Sequence, residues 1–214
     1  TSGSFLTPMM LSMVIGAVLG GQALSRLGGH YRIQGLIAIG TMTVGMFLAS
    51  QMTSDSSQHK VIFNIVVFGF GLGNTFPVFT IAVQNATPRS FLGVSTSAIQ
   101  FYRSIGGVLG LAVLGSHLAT RFYSKLGSDL SADLSNAITT EQIEILSNNP
   151  QALLNPNPIK WIVDTFQISN GTASEIITSM KTSLSSGISD VFLIITAMSV
   201  VALIVTIFLK ETTT

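Results

Sequence analysis

Five stretches of the chain stay apolar long enough to cross a bilayer: residues 5–25, 33–51, 61–84, 92–118 and 188–209. A hydrocarbon core of about 30 Å needs roughly 20 residues of helix, and each stretch meets that length. The first three contain no charged side chain; the fifth has only Asp190, near its start, and the fourth has Arg103, with His117 near its end. The remaining polar residues fall into short connections, apart from one long segment, 121–187, rich in Ser, Asn and Thr. This pattern predicts an all-α membrane protein with five transmembrane helices and a long polar outer loop.

Within that loop, Asn149-Pro150 and Asn155-Pro156-Asn157-Pro158 interrupt any long helix, because proline lacks the amide hydrogen and clashes with the preceding turn. Thr139 with Gln142 predicts a capping box that opens a short helix through Leu146. Ile176, Ile177, Met180, Leu184 and Ile188 share one helical face, so the last span is expected to begin as an amphipathic helix outside the bilayer. Trp161, the one tryptophan, fits an anchor against the membrane surface. Asn170-Gly171-Thr172 has the form of a glycosylation acceptor, a triplet that Ser/Thr-rich loops also produce by chance.

Composition agrees with the pattern. The 214 residues are 47% hydrophobic and 9% charged, with a mean hydropathy of +0.60, well beyond a soluble domain's polar surface. A net charge of +1 implies no nucleic-acid partner. Cysteine is absent, which excludes disulfides, thiol catalysis and thiolate metal sites. The chain begins at Thr1 with no charged region before its first apolar run, and so reads as a fragment or processed product without a signal peptide.

Basic residues in short loops set orientation. Two arginines lie in 26–32 and Arg89 in 85–91, whereas Lys60 in 52–60 is offset by Asp55. Thr1 is therefore expected outside and Lys210 inside the cytoplasm.

Arg103 is the costly residue. A cation in hydrocarbon is unfavourable by several kcal/mol, so it faces a protein interior or a watery cavity, and transport is the default reading. It lies about eleven residues, or roughly 16 Å, from the cytoplasmic end of its helix. Gln100 and Phe101 flank it, and Asn74, Thr75, Phe76 and Phe79 of the third span could share its cavity. It either binds an anionic group, or biases a carboxylate elsewhere toward its charged form, or pins backbone carbonyls of a neighbouring helix. His117 and Asp190 are expected at the outer interface, Asp190 in a cap or pair.

Glycines recur four apart, at Gly16 and Gly20, Gly69 and Gly73, and Gly106 and Gly110. Such spacing lets backbones approach closely. In the third span Gly69, Gly71, Gly73 and Pro77 together mark a bend, either a cavity wall or a structural kink whose freed carbonyl Thr or Asn satisfies. The first and fourth spans share a string, Ile15-Gly16-Ala17-Val18-Leu19-Gly20 against Ile105-Gly106-Gly107-Val108-Leu109-Gly110. On the topology above these helices cross in opposite directions, as in inverted-repeat transporters; one helix is then expected upstream of Thr1.

The run Gln84-Asn85-Ala86-Thr87-Pro88-Arg89, with Leu92-Gly93-Val94-Ser95-Thr96-Ser97, Phe101-Tyr102-Arg103-Ser104-Ile105-Gly106-Gly107 and Gly110-Leu111-Ala112-Val113-Leu114-Gly115, resembles the later helices of the fourteen-span drug:proton antiporter family of the major facilitator superfamily. Gly69-Phe70-Gly71-Leu72-Gly73 with Pro77 fits as well, and the resemblance covers nearly all but the outer loop. The loop from Gly21 to His30 resembles the superfamily's cytoplasmic signature at Gly21, Arg26 and Gly28, but Ser25 replaces its acidic residue, and Gly29 and His30 its two basic ones. That departure puts the loop's charge-relay role in doubt. Arg26 is left with a gate role near a helix terminus or a topology signal alone.

The resemblance implies a major facilitator-type helical bundle, with this chain most of its C-terminal six-helix half. The expected function is proton-coupled export of small amphipathic molecules by alternating access, in a plasma or bacterial inner membrane. The missing N-terminal half, the lipid bilayer and a small-molecule substrate are the implied partners, and the energy source is a proton gradient, with no cofactor. None of the five spans carries a mid-membrane Asp or Glu, so proton coupling is expected to lie in the other half. The alternatives are a uniporter or importer of a polar metabolite, and a non-transporting scaffold. No nucleophile–base pair, paired carboxylates, metal-spaced histidines or phosphate loop appears, so catalysis has no support.

Overall fold

A computed structural model describes residues 3–26, 30–53, 56–133, 139–155 and 157–209. Among these residues the regular structure is helical, without strands: α1 Gly3–Arg26, α2 Tyr31–Ser50, α3 Gln58–Asn85, α4 Leu92–Asp133, α5 Thr140–Asn148, α6 Pro158–Phe166 and α7 Asn170–Ile207. Short 3₁₀ turns sit at Arg89–Phe91 and Pro150–Leu154. Five helices are long and apolar enough to span a membrane, namely α1, α2, α3, α4 and α7.

The described residues divide into two compact units, one drawn from 1–52, 56–110 and 192–214, the other from 53–55 and 111–191. In the first, α1 and α2 both pack on α3, and glycine makes the approach possible. A Cβ on Gly16 would overlap the backbone carbonyl of Phe70, and one on Gly73 the carbonyl of Met13. Gly69 faces Ser12 and Met9 of α1, whereas Gly71, about 200° round the helix, faces Met42 and Ala38 of α2. Gly45 returns the contact from α2 against Phe68. The α3 glycines thus serve two neighbours, alternating sides, and α3 runs through Pro77 as one helix. Contacts that advance together make α1 and α3 parallel, and the opposed register makes α2 and α3 antiparallel.

Polar groups lie inside this unit. Asn64 donates from Nδ2 to the Leu48 carbonyl at 3.0 Å, and Thr43 Oγ1 donates to Ser199 Oγ at 3.0 Å, linking α2 to α7. Ser12, Gln34, Asn64, Asn74, Thr196, Ser199 and Thr206 are buried, while Met10, Leu11, Val108 and Val205 are exposed. That distribution suits a lipid solvent, where apolar surface needs no burial and polar groups must be satisfied internally.

The second unit gives the expected polar, partly helical outer segment an apolar core. Its composition is polar, yet Phe122, Leu126, Leu130, Leu146, Ile162, Ala173, Ile176, Ile177 and Met180 form a buried apolar cluster. The helix that carries the fourth span continues past residue 118 to Asp133, and α7 begins at Asn170. At 1.5 Å per residue both are about twice the hydrocarbon thickness, so part of each stands outside it. The apolar face of α7 from Ile176 to Met180 is buried in this cluster. Trp161, expected at the membrane surface, packs on the cluster with its ring 6.2 Å from and edge-on to Phe166. The Thr139 and Gln142 capping box is present, with Thr139 Oγ1 accepting from Gln142 N at 3.3 Å.

Gly73→Ala should destabilise the intact protein by about 1–3 kcal/mol, because the α1 backbone cannot yield as a side chain would. Gly127→Ala, where a Cβ meets nothing within 4 Å, should be neutral or gain up to about 1 kcal/mol from helix propensity. Thermal unfolding in detergent compares the two, and equal stabilities would refute the close contact. Leu126→Asp places a charge in the apolar cluster, so trypsin should cut 121–187 at least tenfold faster than in the wild type while the membrane helices remain protected.

Candidate functional site

Arg103 is positioned by the α3–α4 hairpin. Pro88 initiates the 3₁₀ turn that reverses the chain, and Gln84 Nε2 donates to Thr96 Oγ1 at 3.3 Å near the turn. Two helical turns further along, the Arg103 guanidinium lies 4.3 Å from the centroid of the Phe76 ring. Its Nη1 also donates to Gln100 Oε1 at 2.9 Å, one turn back on the same helix. The ring's quadrupole and the amide oxygen solvate the cation from two sides, a favourable arrangement where water is scarce. The guanidinium keeps further donors for a third group.

Of the residues expected around one cavity, the structure brings together Arg103, Gln100 and Phe76. Phe101 lies on the far side of α4, 60% exposed and edge-on to Tyr102 with centroids 5.7 Å apart. Thr75 turns back on its own helix, donating to the Leu72 carbonyl at 2.6 Å. Phe79 points toward α2, its Cζ 3.5 Å from where a Gly35 Cβ would stand. Asn74 is two residues from Phe76, hence about 200° away on α3, and faces the opposite side.

There it joins a second group that sequence reasoning missed. Gln34 of α2 reaches across to α1 and donates from Nε2 to the Gly20 carbonyl, and the same nitrogen lies 3.4 Å from Asn74 Oδ1. Gly20 is required because Asn74 Oδ1 occupies the space a Cβ would take. Above these amides a cavity of about 520 Å³ is lined by Leu19, Ala23, Ile33, Ile37 and Phe70, with His30 among its residues. The signal was a glutamine near the start of an uncharged span, unreadable until α1 and α3 were placed beside it.

Gly106, Gly107 and Gly110 meet nothing within 4 Å of an added Cβ among the described residues. The echo of α1 in α4 is therefore one of sequence, with only the α1 copy packed here. Gly21 approaches Pro77, whose Cβ is 3.9 Å from an added methyl; Arg26 is exposed at the end of α1; Gly28 lies outside the described residues. Asp190 pairs with Arg121, Oδ2 to Nε 2.9 Å, both partly exposed, a bridge worth about 0–1 kcal/mol. No group of three metal-ligating side chains occurs among the described residues.

No family model matches the chain. It is 31% identical over 219 residues to the multidrug transporter protein MdtP of Bacillus subtilis, an alignment covering 98% of this chain and 39% of that protein. Multidrug resistance protein 3 of the same organism is 29% identical over 211 residues, covering 99% of this chain and 38% of that protein. An uncharacterised MFS-type transporter of Mycobacterium tuberculosis is 28% identical over 155 residues, covering 72% and 22%. The chain belongs to the major facilitator superfamily. It is an integral membrane protein, and it spans about two fifths of the length of its two Bacillus subtilis relatives.

A double-mutant cycle of Arg103→Gln and Phe76→Leu should give a coupling of about 0.5–2 kcal/mol in the thermal stability of the intact protein. Additivity within error would mean that the ring does not hold the cation.

Proposed function

We propose that this chain is most of the C-terminal half of a proton-coupled exporter of small amphipathic molecules, working by alternating access. The observation that carries the reading is the match over 98% of the chain to a protein named a multidrug transporter. Arg103 gives it a working residue: a cation held at its base by Phe76 and Gln100, with donors left for an anionic group. That group is a carboxylate of the other half or an acidic portion of the cargo. A proton arriving on the carboxylate would release it from Arg103, and its departure would restore the pair, which couples protonation to exchange of the cavity between two faces.

The energy source is the proton gradient, without a cofactor, and the protein is a carrier and not an enzyme. Its partners are the N-terminal half, the bilayer and a small-molecule substrate. The membrane is the plasma or bacterial inner membrane, with the start of α1 outside and the end of α7 in the cytoplasm. The arginines at 26–32 and 85–91 support that orientation. Arg26, at the carbonyl end of α1, then sits at the cytoplasmic gate where the helix dipole favours a cation.

Vesicles carrying the complete protein should export a cationic dye when a proton gradient is applied, and Arg103→Ala should slow export at least tenfold while Arg103→Lys retains part of it. Unchanged efflux in Arg103→Ala would remove this residue from the mechanism. Absence of gradient-driven efflux from the wild type, across a panel of dyes, would overturn the exporter reading.

A further inference from the structure

Gln34 is 9% exposed and Asn74 7% exposed, so both residues are more than nine-tenths buried, and both line the 520 Å³ cavity among α1, α2 and α3. Their hydrogen bonds are incomplete. Both bonds from Gln34 Nε2 are used, on the Gly20 carbonyl and on Asn74 Oδ1. Among the described residues, neither the Asn74 Nδ2 donors nor the Gln34 Oε1 acceptor has a partner. A buried amide left in this state is unfavourable by about 1–3 kcal/mol, and here a donor and an acceptor are left side by side. The rest of the lining is Leu19, Gly20, Ala23, Ile33, Ile37 and Phe70, with His30, so a water there would find few polar partners beyond the two amides and His30.

We propose that this cavity is a binding site for an uncharged amphipathic molecule: an apolar, preferably planar body with one neutral head that both accepts and donates, such as a primary or secondary amide or lactam. The head's carbonyl accepts from Asn74 Nδ2 and its N–H donates to Gln34 Oε1, while the body lies against Phe70 and the aliphatic walls. The amide pair is held in place before a ligand arrives, since Gln34 is tethered to the Gly20 carbonyl and Asn74 fills the space above the same glycine. A charged head gains no ion pair from these two carboxamides, which are neutral. The site is on the opposite side of α3 from Phe76 and Arg103, so it selects by neutral hydrogen bonding where the Arg103 group selects by charge. It goes beyond the exporter reading and does not depend on it, because binding is measured at equilibrium without a gradient.

The probe is 1-naphthylacetamide, followed by fluorescence anisotropy with the complete protein in phospholipid nanodiscs. 1-Ethylnaphthalene serves as the analogue without the amide, and 1-naphthylacetate as the charged one. The wild type should bind the amide saturably and at least tenfold more tightly than either analogue. Asn74→Ala and Gln34→Met should each weaken the amide at least fivefold and change the hydrocarbon less than twofold. Ala23→Phe, which fills the cavity from its wall and leaves both carboxamides intact, should abolish binding of both. Thermal unfolding of every variant separates loss of the site from loss of the fold. Equal affinity for amide and hydrocarbon, or amide binding insensitive to both polar substitutions in folded variants, would make the cavity a lipid-chain groove and overturn the proposal. So would absence of binding to the folded wild type. Loss of dye efflux with amide binding intact would count against the exporter reading and leave this site standing.

Discussion

The helix frame depends on backbone-to-backbone contact at glycine. In lipid, bringing two apolar helices together removes no hydrocarbon from water, so association rests on dispersion, hydrogen bonds and the closeness of approach. Gly16, Gly69 and Gly73 let α1 meet α3 at the level of main-chain carbonyls, and Gly45 and Gly71 do the same for α2. At that separation the short side chains between helices become decisive. Gln34 reaches the Gly20 carbonyl and Asn64 the Leu48 carbonyl only because the helices are so close. A larger side chain at any of these glycines would separate the helices and strand buried polar groups.

The second unit is organised by the other solvent. Phe122, Leu126, Ile162, Ile176 and Met180 gather as they would in a small soluble domain, because water drives their burial. One chain therefore obeys two rules. In the first unit the large apolar side chains turn outward and the small and polar ones inward, whereas in the second the apolar residues form the core.

Arg103 is partly exposed and bonded to no carboxylate among the described residues, and it rests on Phe76 and Gln100. Aromatic and amide solvation stabilises the cation and leaves its charge largely uncancelled. The amide pair at Gln34 and Asn74 is likewise incomplete but neutral. The structure thus holds two unfinished polar groups on opposite faces of α3, of different chemical character.

Much was legible in the linear pattern. Span number, helix type, the Thr139 capping box and the amphipathic start of α7 follow from local periodicity, which a helix expresses without help from distant residues. The cost of Arg103 in hydrocarbon was equally local. What tertiary structure alone decided is which faces meet. Asn74 and Phe76 are neighbours in sequence and were expected in one cavity, yet the 200° between them sends one to Gln34 and the other to Arg103. Glycine spacing marked positions able to pack closely but not which would, and among the described residues Gly16 packs where Gly106 does not. The polar composition of 121–187 likewise concealed a core, because a few apolar residues far apart in sequence make one only once the helices fold back on each other. Local periodicity determined the helices; pairwise geometry, set by contacts between residues far apart in the chain, determined the sites.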